Sequence, residues 1–265
     1  MLGVTLAEKN PNQEFLLIKR SQGGTSLHGA WNPNWTSEKG MLMEKGKKQY
    51  LKLYKQHITD IKRNLRQLEE KGNSYKIIGL FWMQGENDAV AEVSAKKYKN
   101  NLRALVSSYR KEFNVREMPF VFGQINSRYG IKGGADLVRK NMERFAYQDY
   151  YSKLIKTSKN TSWSDFPKWD DNVHYNAEGQ KRLGIAFGKA LFEILEKNNV
   201  QNFKGIHQLK PKETIKFKAK GETNMMYHVY TPSSFKSNKK FPIIIAFSPQ
   251  GNGNSILYKM KESAE

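Results

Sequence analysis

The chain has 265 residues, 38% of them hydrophobic and 12% aromatic, enough to bury a core and too many for a disordered segment. Lys and Arg outnumber Asp and Glu 45 to 25, a formal net charge of +20, yet the basic residues recur singly along helical patterns and form no nucleic-acid motif. A lysine-rich solvated surface is therefore expected, with no nucleic-acid partner. The absence of cysteine excludes a disulfide frame, a thiolate metal site and a cysteine nucleophile, and no run of about 18 apolar residues offers a membrane span.

In chain order, "EFLLIKR" (14–20) lies between "PNQ" and "SQGG" and predicts a buried strand ending in a glycine turn. From Glu44 to Lys71 apolar residues such as Leu53, His57, Ile58, Ile61, Leu65 and Leu68 recur at steps of three and four, predicting an amphipathic helix stopped by Gly72. "KIIGLFWM" (76–83) predicts a strand ending at "QGEND", residues 93–113 a helix, and "MPFVFGQIN" (118–126) a third strand. Residues 136–158 predict a further helix, "NTSWSDF" an extended piece, and residues 177–198 a strongly amphipathic closing helix. Strands alternating with helices of this length imply an α/β fold, a parallel sheet covered on both faces. Past Asn199 the texture changes: "TIKFKAKG", "MMYHVYTP" and "FPIIIAF" are strand-like without intervening helices, which places a domain boundary between residues 200 and 210.

Three stretches fall where strands end and loops begin, the place at which doubly wound folds gather chemistry: "QGGTSL", "WMQGEND" and "DNVHYNAEG". An ester-splitting site needs a nucleophile, a base, a group that orients the base and donors for an oxyanion. Asp171 and His174, three apart, allow a carboxylate to hold one imidazole nitrogen and leave the other as base; the same spacing also suits a helix-start cap with a surface histidine. Gln84 offers an amide donor, or else bonds backbone at a strand end. Gly23 or Gly24 offers an unobstructed backbone N–H, or else only turns the chain. Glu86 and Asp88 share the Gln84 loop; they suit holding loop backbone or a positive side chain better than a metal, with support of His174 the lesser alternative for Glu86. Trp31, Trp35, Trp82, Trp163 and Trp169 lie in or beside these loops, where they serve either sugar stacking or ordinary core.

These stretches, with "LAEKNPNQEFLLIKRSQGGTSLHGAWNP", "PFVFGQIN" and "VRKNMERFA", resemble the SGNH-type hydrolases, specifically the sialate O-acetylesterase-like group that includes carbohydrate esterase family six acetylxylan esterases, over roughly residues 1–197. The resemblance implies a three-layer αβα, flavodoxin-like domain over residues 1–200 that lacks its first strand, acting as a carbohydrate O-acetylesterase on sialic acid or plant glycans such as xylan. It implies His174 as general base, Asp171 as its orienting acid, Gln84 with Gly23 or Gly24 as the oxyanion hole, and neither metal nor cofactor. Its nucleophilic serine belongs to a "GQSN"-like motif that has no counterpart here, so that segment is expected upstream of Met1 and the chain as given is expected to be inactive. The alternative is a non-catalytic glycan-binding pseudoenzyme. Ser26 stands near the glycines, but the resemblance assigns its position to the substrate-cleft loop. Relatives acting on extracellular glycans are secreted or periplasmic, although "MLGVTLAEKNPNQ" carries no signal-peptide pattern. Residues 209–265 resemble the incomplete, β-rich start of an α/β-hydrolase, with "SPQGNG" as its oxyanion loop.

Overall fold

The computed structural model describes residues 1–127, 129–158, 165–171, 173–206, 210–218 and 226–236. The chain divides into two compact units, Met1–Ile194 and Leu195–Glu265. In the first unit β1 (Leu80–Trp82), β2 (Phe120–Gly123) and β3 (Ser152–Ile155) form a parallel sheet in that order, with Leu80 beside Phe120 and Phe122 beside Leu154. Helices α1 (Leu2–Lys9), α2 (Ser37–Met43) and α3 (Leu53–Glu70) precede β1; α4 (Glu92–Glu112) and α5 (Gly134–Gln148) are the two crossovers; α6 (Ala177–Ile206) follows β3.

Alternation along the strands separates two helical layers, because successive side chains leave opposite faces of a sheet. Phe120 and Phe122 meet Phe145 of α5 with ring centroids 5.9 and 5.7 Å apart, and Trp82 donates its indole N–H to Tyr98 of α4 at 3.4 Å. Both crossovers thus cover one face, as right-handed βαβ connections require. The opposite face belongs to α6: Phe81 lies 6.1 Å from Phe187, and a Cβ on Gly79 would stand 2.9 Å from Leu191 Cδ1. Helix α1 joins that layer, where Gly188 of α6 brings the backbone so close to Thr5 that a Cβ would sit 2.8 Å from its methyl. The result is the three-layer αβα arrangement expected from the sequence, with three strands among the described residues of this unit.

Three expectations are corrected. Residues 14–20 form no strand: Leu16 and Leu17 are 54% and 49% exposed, and the segment is held over α3 by Ile18 O with His57 and by Arg20 with Asp60. An apolar run makes a strand only where a sheet edge receives it. The helix expected from Glu44 is broken, because Gly46 turns the backbone at φ +57° and a short 3-10 turn, Gly46–Tyr50, intervenes before α3. The helix expected to reach residue 158 stops at Gln148, and β3 follows. Asp149 makes that break: its carboxylate takes two bonds from Arg110, at 2.5 and 2.9 Å, and a third from Tyr151 N at 3.1 Å, which turns the chain back into the sheet.

In the second unit β4 (Thr214–Lys218) and β5 (Met226–Tyr230) pair antiparallel, Thr214 opposite Tyr230 and Lys218 opposite Met226. "FPIIIAF" and "SPQGNG" lie outside the described residues, as does Trp163.

Candidate active site

The polar loops of the first unit gather at the carboxyl edge of the sheet. After β1, Gly85 adopts φ +154°, and a Cβ there would meet Ile125, Met142 and Val138 at 2.8 to 3.2 Å, so only glycine lets the chain turn above the core at this point. The turn delivers Asp88 into the interior, where it is fully buried. Its carboxylate accepts from Leu27 N at 2.7 Å, His28 N at 2.9 Å and Gln84 Nε2 at 2.7 Å. Burial raises the Asp88 carboxyl to about 7, while the three donors pull in the opposite direction.

A second carboxylate completes this ledge. Glu44 Oε1 accepts from Ser26 N and Ser26 Oγ, both at 2.7 Å, and from Ala30 N at 3.4 Å; burial raises its carboxyl above the ordinary range. Gly29 is required beside it, since a Cβ there would lie 2.0 Å from Glu44 Oε2. Ser26 is fully buried, donating to Glu44 and accepting from Gly29 N at 2.8 Å, so it offers no accessible hydroxyl. Sequence reasoning passed over Glu44, whose place in a helical pattern signals nothing about an inward-turned carboxylate.

Gln84 stands against Thr25, the residue after the Gly23–Gly24 turn. Its backbone oxygen accepts from Tyr98 Oη at 2.6 Å, and its Nε2 donates to Thr25 O at 3.2 Å as well as to Asp88. Both amide hydrogens are thereby engaged, and the oxygen and nitrogen positions are fixed because the flipped amide would oppose oxygen to oxygen. Gly23 and Gly24 are exposed at the turn, Gly24 at φ +65°, with Lys48 Nζ donating to Gly23 O at 2.9 Å.

Asp171 and His174 lie on a hairpin that precedes α6. Lys168 and Tyr175 form an antiparallel bridge, Trp169 N donates to His174 O at 2.9 Å, and Asn176 N donates to Pro167 O at 3.1 Å. At the tip Asp171 Oδ1 accepts from Val173 N and His174 N at 2.8 and 2.9 Å, and Oδ2 stands 2.6 Å from His174 Nδ1. These bonds, the imidazole's first among them, hold the Asp171 carboxyl down at about 2. With Nδ1 facing the carboxylate, Nε2 is the free nitrogen, and the His174 side chain is 78% exposed. Asn176 ends the hairpin and starts α6, its Oδ1 accepting from Gly179 N at 2.9 Å; Gly179 must be glycine because a Cβ would stand 2.1 Å from Pro167 O.

The hairpin is tied to the sheet edge by Lys168, whose ammonium donates to Asn126 O just past β2. Arg139 braces the same edge by donating to Ile125 O and to Thr157, beyond β3, at 2.9 and 2.7 Å. Glu86 faces this region: burial raises its carboxyl, and the nearby charges of Lys168 and His174 work against that rise. Lys168 and Arg139 were not singled out by the sequence, where each is one of many basic residues. Among the described residues no group of three His, Cys, Asp or Glu side chains is placed to hold a metal ion, and no helix is long and apolar enough to cross a membrane.

A parallel sheet between two helical layers, with its polar loops collected at one edge, is the architecture of a doubly wound α/β domain, which gathers chemistry at that edge. Residues 1–193 match the family model described as "carbohydrate esterase, sialic acid-specific acetylesterase", and the chain belongs to that family. Among solved structures it is similar to a protein from Arabidopsis thaliana, with 21% identity and a TM-score of 0.47 over 64% of this chain and 58% of that one. It is also similar to a carbohydrate acetylesterase from Xanthomonas citri, with 20% identity and a TM-score of 0.41 over 57% of this chain and 32% of that one. The matched part spans less than two thirds of either protein's length. No curated protein matches the chain.

Proposed function

We propose that the protein removes O-acetyl groups from carbohydrates, with His174 as general base and Asp171 as the group that orients it. The observation that carries this reading is the 2.6 Å contact between Asp171 Oδ2 and His174 Nδ1, which leaves an exposed Nε2 on a chain of the carbohydrate esterase family. An attacking hydroxyl, by resemblance a serine of a "GQSN"-like motif, gives its proton to Nε2 as its oxygen bonds to the acetyl carbon. Backbone N–H groups of the Gly23 and Gly24 turn take the negative charge that develops on the carbonyl oxygen. His174 then returns the proton to the departing sugar hydroxyl, and a water molecule repeats the sequence to release acetate.

Gln84 enters this scheme chiefly as a brace. To donate to an oxyanion it must let go of Thr25 O, the longer of its two bonds at 3.2 Å, while the 2.7 Å bond to Asp88 persists. Acetate release from O-acetylated xylan and from O-acetylated sialic acid by the natural gene product, against its His174→Ala form, tests the proposal. The expected loss is on the order of 10³-fold or more, as for removal of a triad base. Equal rates in the two proteins would end it.

A further inference from the structure

The tryptophans of the site loops have distinct fates. Trp31 and Trp82 are buried in the core and meet edge to face at 5.3 Å, and the Trp35 ring is covered by Lys52, whose Nζ lies 4.3 Å from its centre. Trp169 alone among the described tryptophans is open, 59% exposed. Its position on the hairpin is informative. The Lys168–Tyr175 bridge and the Trp169 N to His174 O bond set Trp169 directly opposite His174. Directly opposed residues of an antiparallel pair project to the same face with Cβ atoms about 5 Å apart. The neighbouring pair takes the other face, and it points inward: Lys168 bonds Asn126 O and lies 5.3 Å over the Tyr175 ring. The indole and the imidazole therefore stand side by side on the solvent face.

We propose that Trp169 is the platform on which the substrate's sugar ring stacks, and that this substrate is a neutral pyranose carrying its O-acetyl group directly on the ring. The inference rests on the esterase reading and narrows its substrate. His174 Nε2 must come within about 3 Å of the sugar oxygen that leaves. An indole next to the imidazole then meets the ring bearing that oxygen, and its broad apolar face suits the C–H side of a pyranose. An acetyl group at the end of an exocyclic chain would hold the ring several bonds away from the indole. The hairpin tip adds Asp170 and Asp171 beside the platform, which disfavours a sugar that carries its own carboxylate.

The test is a binding titration of the protein with 3-O-acetylated xylobiose and with 9-O-acetylated sialic acid, followed through the indole NMR resonances. The native protein is expected to bind the xylobiose at least fivefold more tightly than the sialic acid. Trp169→Ala weakens xylobiose binding about tenfold, and Trp169→Phe recovers most of the loss, an outcome that a purely structural role would not produce. An unchanged melting temperature for Trp169→Ala accompanies this result, since the side chain is largely outside the core. Binding by Trp169→Ala equal to native, a Phe variant no better than the Ala variant, or equal or tighter binding of the sialic acid would overturn the inference and leave the esterase reading standing. A native protein that binds neither sugar removes the esterase reading and this inference together.

Discussion

The two loops of the candidate site are built in opposite ways. The ledge from Thr25 to Asn32 is buried, and its backbone hangs on two interior carboxylates, Asp88 and Glu44. The hairpin that carries His174 is exposed and is held by a few backbone bonds, the Asp171 turn and the Lys168 contact. In the proposed mechanism the ledge anchors the adjoining Gly23–Gly24 turn, whose donors gain from being fixed beforehand, while the proposed base exchanges protons at the surface. The contrast makes a general prediction: damage to the ledge costs stability, and damage to the hairpin costs function with little change in stability.

The largest effect is expected at Asp88. Asp88→Ala strands three buried donors and should lower unfolding free energy by about 3–5 kcal/mol in chemical denaturation, the range for breaking a buried charged network. The same residue has a pH signature. Its carboxyl is raised from 3.8 to about 7, so between those values the folded protein holds a proton that the unfolded chain has released. That contribution to stability is complete below the lower value and is lost as pH rises through the upper one. Native stability should therefore decline relative to Asp88→Ala from pH 4 toward pH 7, and a parallel pair of pH profiles would show that Asp88 is ionised throughout.

Next comes Gly29→Ala, which drives a methyl into the Glu44 carboxylate and should cost about 1–3 kcal/mol by the same measurement. At the junction of hairpin and α6, Asn176→Ala removes the helix cap and should cost about 1 kcal/mol. The smallest effect belongs to the hairpin tip. Asp171 is depressed from 3.8 to about 2, so its two backbone bonds keep their strength above the upper value and fade as pH falls through the lower one. Protection factors at Val173 and His174, measured against the intrinsic exchange rate at each pH, should fall as pH is lowered from 4 through 2, while those of the ledge amides of Leu27 and His28, held by a buried group, stay high. Simultaneous loss of protection at both places would erase the distinction between the loops.

Much of this was legible in the residues. Periodicity located α4 and the start of α6, the apolar runs located β1 and β2, and the three loop motifs fell at the sheet's carboxyl edge. Misreadings arose where a long-range partner decided the outcome. Residues 14–20 have a strand's composition and no neighbouring strand, and β3 follows a helix that Asp149 ends only because Arg110, 39 positions away, fixes its carboxylate. At the site, the Asp171 to His174 spacing was readable because the pair is local, and so was the cap at Asn176.

By itself, the order of residues determined the αβα class, the family and the local Asp171–His174 turn, since each depends on periodicity or on neighbours within a few positions. The tertiary structure alone decided that Ser26 is sealed against Glu44, that Gln84 is committed to Thr25 and Asp88, and that Trp169 faces solvent while Trp31 and Trp82 do not. Those outcomes depend on which distant groups share one buried space, and hydrogen bonding and burial there are properties of the assembled interior that no short stretch of chain contains.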